Sequence, residues 1–216
     1  MEKPNRYIVV EGPIGAGKTS FARVLGEHLK AKLVLEDVEG NPFLRDFYRD
    51  GMKNAFATQL FFLLSRYQQQ QDLLHTDMFH PNIVCDYLFH KERIFAGLTL
   101  NEPERNLYYK VYSLLQRDIL KPDLVVLLHA PVDSLMDRIR SRSHLYEDSL
   151  NADYLKRVVD AYLEFFYDYD SSPVLMVNTE GIDPIHNRTD REMLLEAIEK
   201  ANKGRTYFNP PRGGLL

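Results

Sequence analysis

Cysteine occurs once in the 216-residue chain and tryptophan not at all. A single thiol can neither close an internal disulfide nor build a cysteine-based metal site, so a reducing compartment is expected. No apolar run approaches the roughly 18 residues a membrane helix needs. The opening Met1-Glu2-Lys3-Pro4-Asn5-Arg6 lacks the apolar stretch of a secretory signal. Positive charge is also scarce, since 27 Lys and Arg against 31 Asp and Glu leave 27 − 31 = −4. That balance argues against a protein that coats nucleic acid or an anionic membrane. A cytoplasmic protein is the expectation. With 44% hydrophobic residues the composition is far from that of a disordered chain, and the length suits one domain with a sizeable core.

What is present is an alternation of short apolar runs and longer helical patterns, without internal repeats. Tyr7–Val10, Leu33–Leu35, Ile83–Cys85, Leu124–Leu128 and Val174–Val177 read as strands. They are short and do not alternate polar with apolar, as expected of strands buried on both faces of a parallel sheet. Helices are predicted over Lys18–Leu29, Asn54–Leu74, Pro103–Leu120, Val132–Ser141, Ala152–Tyr169 and Thr189–Ala201. The order implies an α/β fold, a five-stranded parallel sheet with helices on both faces. Residues 1–202 are expected to form one domain, with the Gly- and Pro-containing segment 203–216 as a C-terminal extension.

The strongest local signal is Gly12-Pro13-Ile14-Gly15-Ala16-Gly17-Lys18-Thr19, which satisfies G-x-x-x-x-G-K-[ST] between a strand and an amphipathic helix. Glycines let the backbone turn its N–H groups toward phosphate oxygens, and the next helix adds its positive end. Residues Gly12 through Ser20 are therefore the expected ATP cradle. Lys18 is expected to reach the β and γ phosphates, and Thr19 to offer its hydroxyl to Mg²⁺.

In an open parallel sheet, ligands sit beyond the carboxyl ends of the strands. Glu36 and Asp86 follow the second and third predicted strands. Phosphoryl transfer to a hydroxyl requires a proton acceptor and acids for the metal, so Glu36 suits the general base and Asp86 the metal shell opposite Thr19. Asp37 and Glu39 are rivals for the base. No N-K-x-D of a GTPase follows the loop, and the fourth strand ends in Leu128-His129-Ala130 without the acid many ATPase motors place there. A small-molecule kinase fits better than a switch or a motor.

Arg138 and Arg142 are four residues apart and share a helix face, whereas Arg140 is rotated by about 200° from Arg138. Both are candidates for a lid, at about residues 138–150, that closes over the phosphates. In the helix 54–74, Gln59 and Arg66 are seven apart and nearly eclipsed. A glutamine amide offers donor and acceptor together, matching a base edge. Among the nearby aromatics Phe43, Phe47, Tyr48, Phe61, Phe62 and Tyr67, one or two can stack on a flat ligand.

Taken together, the chain resembles the deoxyribonucleoside kinase family, especially its bacterial deoxyadenosine and deoxyguanosine kinases. The stretches that carry the likeness are the phosphate loop, Leu35-Glu36-Asp37-Val38-Glu39, Asn41-Pro42-Phe43-Leu44, Gln59 with Ser65-Arg66, Asp86-Tyr87 with Ile94-Phe95-Ala96, Arg138 with Arg142, and Asp153-Tyr154-Leu155. The resemblance implies a homodimer that transfers the γ-phosphate of ATP to the 5′-hydroxyl of a deoxynucleoside, a purine by the bacterial likeness. It implies Glu36 as base, Gln59 on the base edge and the two arginines around the phosphates. It also places Tyr48, Tyr87, Lys91 and Asp153 among the acceptor's contacts. Many members carry Arg directly after the acid matched by Asp86; this chain has Tyr87, and Lys91 is the candidate substitute.

Two other readings remain. A nucleoside monophosphate kinase similar to thymidylate kinases would need cations for the acceptor's phosphate, from Arg45, Arg49, Arg66 or Lys91. A non-catalytic nucleotide-binding module would have no use for a base at Glu36.

Overall fold

A computed structural model describes residues 6–50, 52–74, 82–142 and 150–210. The sheet has six parallel strands: β1 (Tyr7–Glu11), β2 (Lys32–Val34), β3 (Ile83–Cys85), β4 (Leu124–His129), β5 (Val174–Asn178) and β6 (Arg205–Phe208). Their order is β2-β3-β1-β4-β5-β6. Every pairing is parallel, for example Val9 opposite Cys85 on one side of β1 and Val125 on the other. Ile8, Val9, Val10, Val84 and Leu124 through Leu128 are buried. Strands covered on both faces cannot alternate, which is why they read as plain apolar runs.

The sixth strand corrects the expectation of five. Arg205–Phe208 falls in the segment read as an extension, yet it pairs with β5 along Val174 to Val177. Its Tyr207 is 63% exposed, so this edge strand lacks the apolar signature that revealed the others. The guanidinium of Arg205 secures it by donating to the carbonyl of Tyr167 at 2.8 Å.

Eight helices are described: α1 (Lys18–Leu29), α2 (Leu44–Arg49), α3 (Ala55–Leu74), α4 (Glu92–Thr99), α5 (Glu102–Leu115), α6 (Val132–Arg142), α7 (Ala152–Asp168) and α8 (Arg188–Lys200). α2 and α4 were not anticipated, because six and eight residues are too few for a clear 3.6-residue period. α5 starts where Asn101 accepts from the N–H of Glu104 and the Glu104 carboxylate accepts from that of Asn101. This reciprocal cap satisfies two N–H groups at the helix start. α5 is shorter than expected and gives way at Gln116 to a 3₁₀ turn.

Two apolar clusters result. The larger fills the sheet and its covering helices. The smaller, with Leu44, Phe47, Phe62, Leu63, Tyr108 and Tyr112, joins α2, α3 and α5 in a helical layer beside the sheet. β1 has β3 on one side and β4 on the other, so the loop after β1 opens at the point where strand order reverses. This is where a doubly wound sheet leaves a crevice.

The loop also packs tightly. Gly12 has φ of +151°, and a Cβ there would meet the carbonyl oxygen of Leu128 at 2.2 Å. Gly17 has φ of +89° with nothing within 4 Å of such a Cβ. Gly12→Ala should therefore destabilise by about 1–3 kcal/mol through a forced backbone shift. Gly17→Ala should cost less, and urea unfolding of the two variants checks that order.

Candidate active site

The loop after β1 turns into α1 with Gly17 in the left-handed region at the helix start. The Lys18 ammonium donates to the carbonyls of Gly12 at 2.8 Å and Pro13 at 3.1 Å, which keeps it at the loop's mouth. The Thr19 hydroxyl donates to Asp86 Oδ2, and Asp86 Oδ1 accepts from the N–H of Glu36 at 2.7 Å. One carboxylate thus joins the phosphate loop, the end of β3 and the chain leaving β2. Thr19 and Asp86, read from the sequence as facing each other across a metal, are in direct contact here. Two hard oxygen donors side by side fit an ion such as Mg²⁺, which takes few protein ligands and completes its shell with phosphates and water. Among the described residues there is no cluster of three or more acidic, His or Cys side chains that would hold a metal by protein alone.

Glu36 stands between two cations. Arg66 Nη2 donates to its Oε1, and Lys91 Nζ donates to its Oε2 at 2.8 Å. Arg66 and Lys91 are both buried. Burial, with Arg66 close by, lowers the Lys91 pKa to about 8. Arg66 is fixed further by Glu92, which is fully buried and accepts from the Tyr108 hydroxyl. Its guanidinium also lies over the rings of Phe62 and Tyr87, at 4.8 and 5.7 Å from their centroids. Mutual pairing of this kind is what lets charges remain out of water. The rivals for the base are placed elsewhere: Asp37 and Glu39 are exposed, and Asp37 accepts from the N–H of Gly40 in a turn.

One cavity collects these groups. Its walls include Lys18, Thr19, Glu36, Gln59, Arg66 and Lys91. Phe47, Tyr48, Phe62 and Phe95 supply its aromatic lining. The eclipsed pair on α3 points into it as the spacing predicted, with Gln59 4% exposed.

This geometry agrees with comparisons to known proteins. The deoxynucleoside kinase family model matches residues 8–202. The chain belongs to the deoxynucleoside kinase family. It is 31% identical over 201 residues to a deoxyguanosine kinase of Bacillus subtilis, covering 90% of this chain and 96% of that one. It is 32% identical over 213 residues to a deoxyadenosine kinase of Dictyostelium discoideum, covering 96% and 85%. In fold it is similar to the solved deoxyadenosine kinase of M. mycoides with bound dCTP, at a TM-score of 0.76, 23% identity, and 90% and 99% coverage. The protein is accordingly a transferase that phosphorylates a deoxynucleoside at the expense of ATP.

Not every expected residue of the kinase reaches the cavity. Tyr87 is fully buried behind Arg66, and Asp153 is exposed in the first turn of α7; neither lines the cavity. Arg138 lies on the opposite side of the phosphate loop, donating to the Thr179 hydroxyl at 2.9 Å and the Thr179 carbonyl at 2.8 Å. There it borders a second cavity with Ala16, Gly17, Ser20 and Asp183. Arg140 faces Asp137 at 3.7 Å on the surface. The side chain of Arg142, and lid residues 143–149, lie outside the described residues.

Sequence reading missed Glu11. This fully buried acid ends β1 and accepts from the N–H of Gly12 at 2.9 Å, the N–H of Leu88 at 2.6 Å and the Tyr162 hydroxyl at 3.1 Å. Its only signal was a carboxylate inside an apolar strand, directly before the first glycine. Glu11→Ala should destabilise the kinase by about 2 kcal/mol or more, because two buried N–H groups lose their acceptor. It should also weaken ATP binding; calorimetric unfolding and ATP titration measure both.

Proposed function

We propose that the cavity holds the acceptor deoxynucleoside, a purine, with its 5′-hydroxyl at Glu36 and the ATP phosphates on the loop Gly12–Thr19. The observation that carries this is the opening of Glu36, Lys18 and Thr19 onto the same cavity as Gln59. Glu36 takes the hydroxyl's proton as the oxygen attacks the γ-phosphorus. Lys18 and the loop amides offset the charge on the phosphates, and the arginine-bearing lid at about residues 138–150 adds Arg138 and Arg142 on closure. Thr19 and Asp86 would hold Mg²⁺, which when bound would offset the charge of the phosphates. Gln59 meets the base edge, and the flat walls of Phe47, Tyr48 and Phe62 suit a purine. Relatives named for deoxyguanosine and deoxyadenosine support that preference.

A hydroxyl acceptor is favoured over a monophosphate. Arg45 and Arg49 do not line the cavity, and Arg49 donates to Asp46 and Asp50 instead. The remaining candidates, Arg66 and Lys91, are both held by Glu36. A homodimer in the cytoplasm belongs to the same reading. Leu107 and Leu114, seven apart on α5, are 52% and 65% exposed, and a two-fold partner would cover them. Among the described residues no helix is long and apolar enough to cross a membrane.

The test is to incubate the protein with Mg-ATP and each deoxynucleoside, then each deoxynucleoside monophosphate, and to separate the products. Purine deoxynucleosides should be phosphorylated; turnover of monophosphates alone would overturn the reading. Glu36→Gln should lower kcat by about 10²–10⁴-fold while ATP still binds. Gln59→Ala should raise the acceptor's KM more than that of ATP.

A further inference from the structure

A hydroxyl inside a helix has a local outlet, the carbonyl four residues back. Thr99 and Ser113 take it, donating to the carbonyls of Phe95 and Tyr109, each at 2.7 Å. Thr58, in the first turn of α3, does not. The carbonyl four residues back, that of Asn54, accepts from the Thr58 N–H at 2.9 Å. The Thr58 carbonyl accepts from the side-chain amide of Asn41 at 3.1 Å, and Asn41 Oδ1 accepts in turn from the N–H of Phe43 at 3.0 Å. The backbone of Thr58 is thus satisfied and held. Its hydroxyl is fully buried and, among the described residues, has no partner. A donor left unpaired out of water is costly, so such a group calls for a ligand.

Thr58 also lines the cavity that holds Glu36 and Gln59. Tyr154 carries another buried, unpartnered hydroxyl on that cavity, but from α7; Thr58 is the sequence neighbour of Gln59 on α3. We propose that Thr58 is a specificity-determining residue: its hydroxyl donates to N7 of a purine base whose adjoining edge is held by Gln59. The proposal rests on the reading of the cavity as the acceptor site. Adenine and guanine both carry N7 as an acceptor, whereas cytosine and thymine have no ring nitrogen on that side. The bond therefore favours purines as a class without choosing between them. A site with a buried polar group rejects the ligand that cannot pair with it, because the group is then left alone. Thr58 touches no reacting atom in this arrangement, so its effect falls on the binding of the acceptor.

The experiment measures kcat and KM of the full-length protein with Mg-ATP and a panel of acceptors. The panel holds deoxyguanosine, deoxyadenosine, the pyrimidine deoxynucleosides, and the 7-deaza purine analogues, which carry C–H in place of N7. Wild type should use the 7-deaza analogues about 10-fold less efficiently, chiefly through KM. Thr58→Val keeps the shape and removes the hydroxyl. It should lose about 10-fold on the natural purines, show no further loss on the 7-deaza analogues, and narrow the gap between purines and pyrimidines. Thr58→Ser should restore the dependence on N7. Thr58→Val should melt no lower than wild type, because it removes no internal hydrogen bond. A 7-deaza penalty that is missing in wild type, or equal in wild type and Thr58→Val, overturns the proposal. A marked fall in the melting temperature of Thr58→Val makes the hydroxyl structural and overturns it too. Wild type that phosphorylates no purine deoxynucleoside defeats the reading of the cavity instead, which separates the two failures.

Discussion

Glu36 is a part-buried carboxylate, its side chain 12% exposed, set between two buried cations, and the arrangement around it follows from that. Its two oxygens are claimed by separate cations on separate elements, Arg66 from α3 and Lys91 from the turn before α4. Arg66 in turn neutralises Glu92, which Tyr108 of α5 holds. Removing one member of a buried ionic set commonly costs about 3–5 kcal/mol, because the survivor stays unpaired. The set links α3, α5 and the turn before α4 through one chain of paired charges. What makes the site costly to bury also holds the Glu36 carboxylate in one orientation.

Two further carboxylates tie this set to the phosphate loop. Asp86 spans Thr19 and the backbone of Glu36, while Glu11 spans Gly12, Leu88 and Tyr162. The phosphate loop and the surroundings of Glu36 are thus joined through two carboxylates at the ends of β1 and β3. Precision of this kind decides whether reacting atoms meet in line, and loss of it is expensive in rate.

The departure from the family pattern at Tyr87 has a structural reading. The residue is fully buried, and its ring forms one wall for the Arg66 guanidinium. Lys91, four residues later, lines the cavity and donates to Glu36. Cys85 next to this wall is fully buried, donates to the carbonyl of Tyr87 at 3.2 Å, and has its thiol pKa pushed up by burial, so it is packing rather than chemistry.

The sequence alone determined the sheet's parallel core, the phosphate loop and the eclipsed pair on α3. Each rests on local periodicity or on a backbone geometry that only glycine permits. It also located Glu36 and Asp86, because a strand's end is readable from where its apolar run stops. Tertiary structure decided what depends on contacts distant in sequence. It gave Glu36 the partners Arg66 and Lys91, 30 and 55 residues away, and left Asp37 and Glu39 exposed. It recruited Arg205–Phe208 as a sixth strand, whose exposed side chains hide its pairing. It turned Tyr87 inward and Lys91 toward the cavity, and it placed Arg138 on Thr179. Spacing along a chain dictates which face a side chain shares; only the packed fold dictates which opposite charge waits on that face.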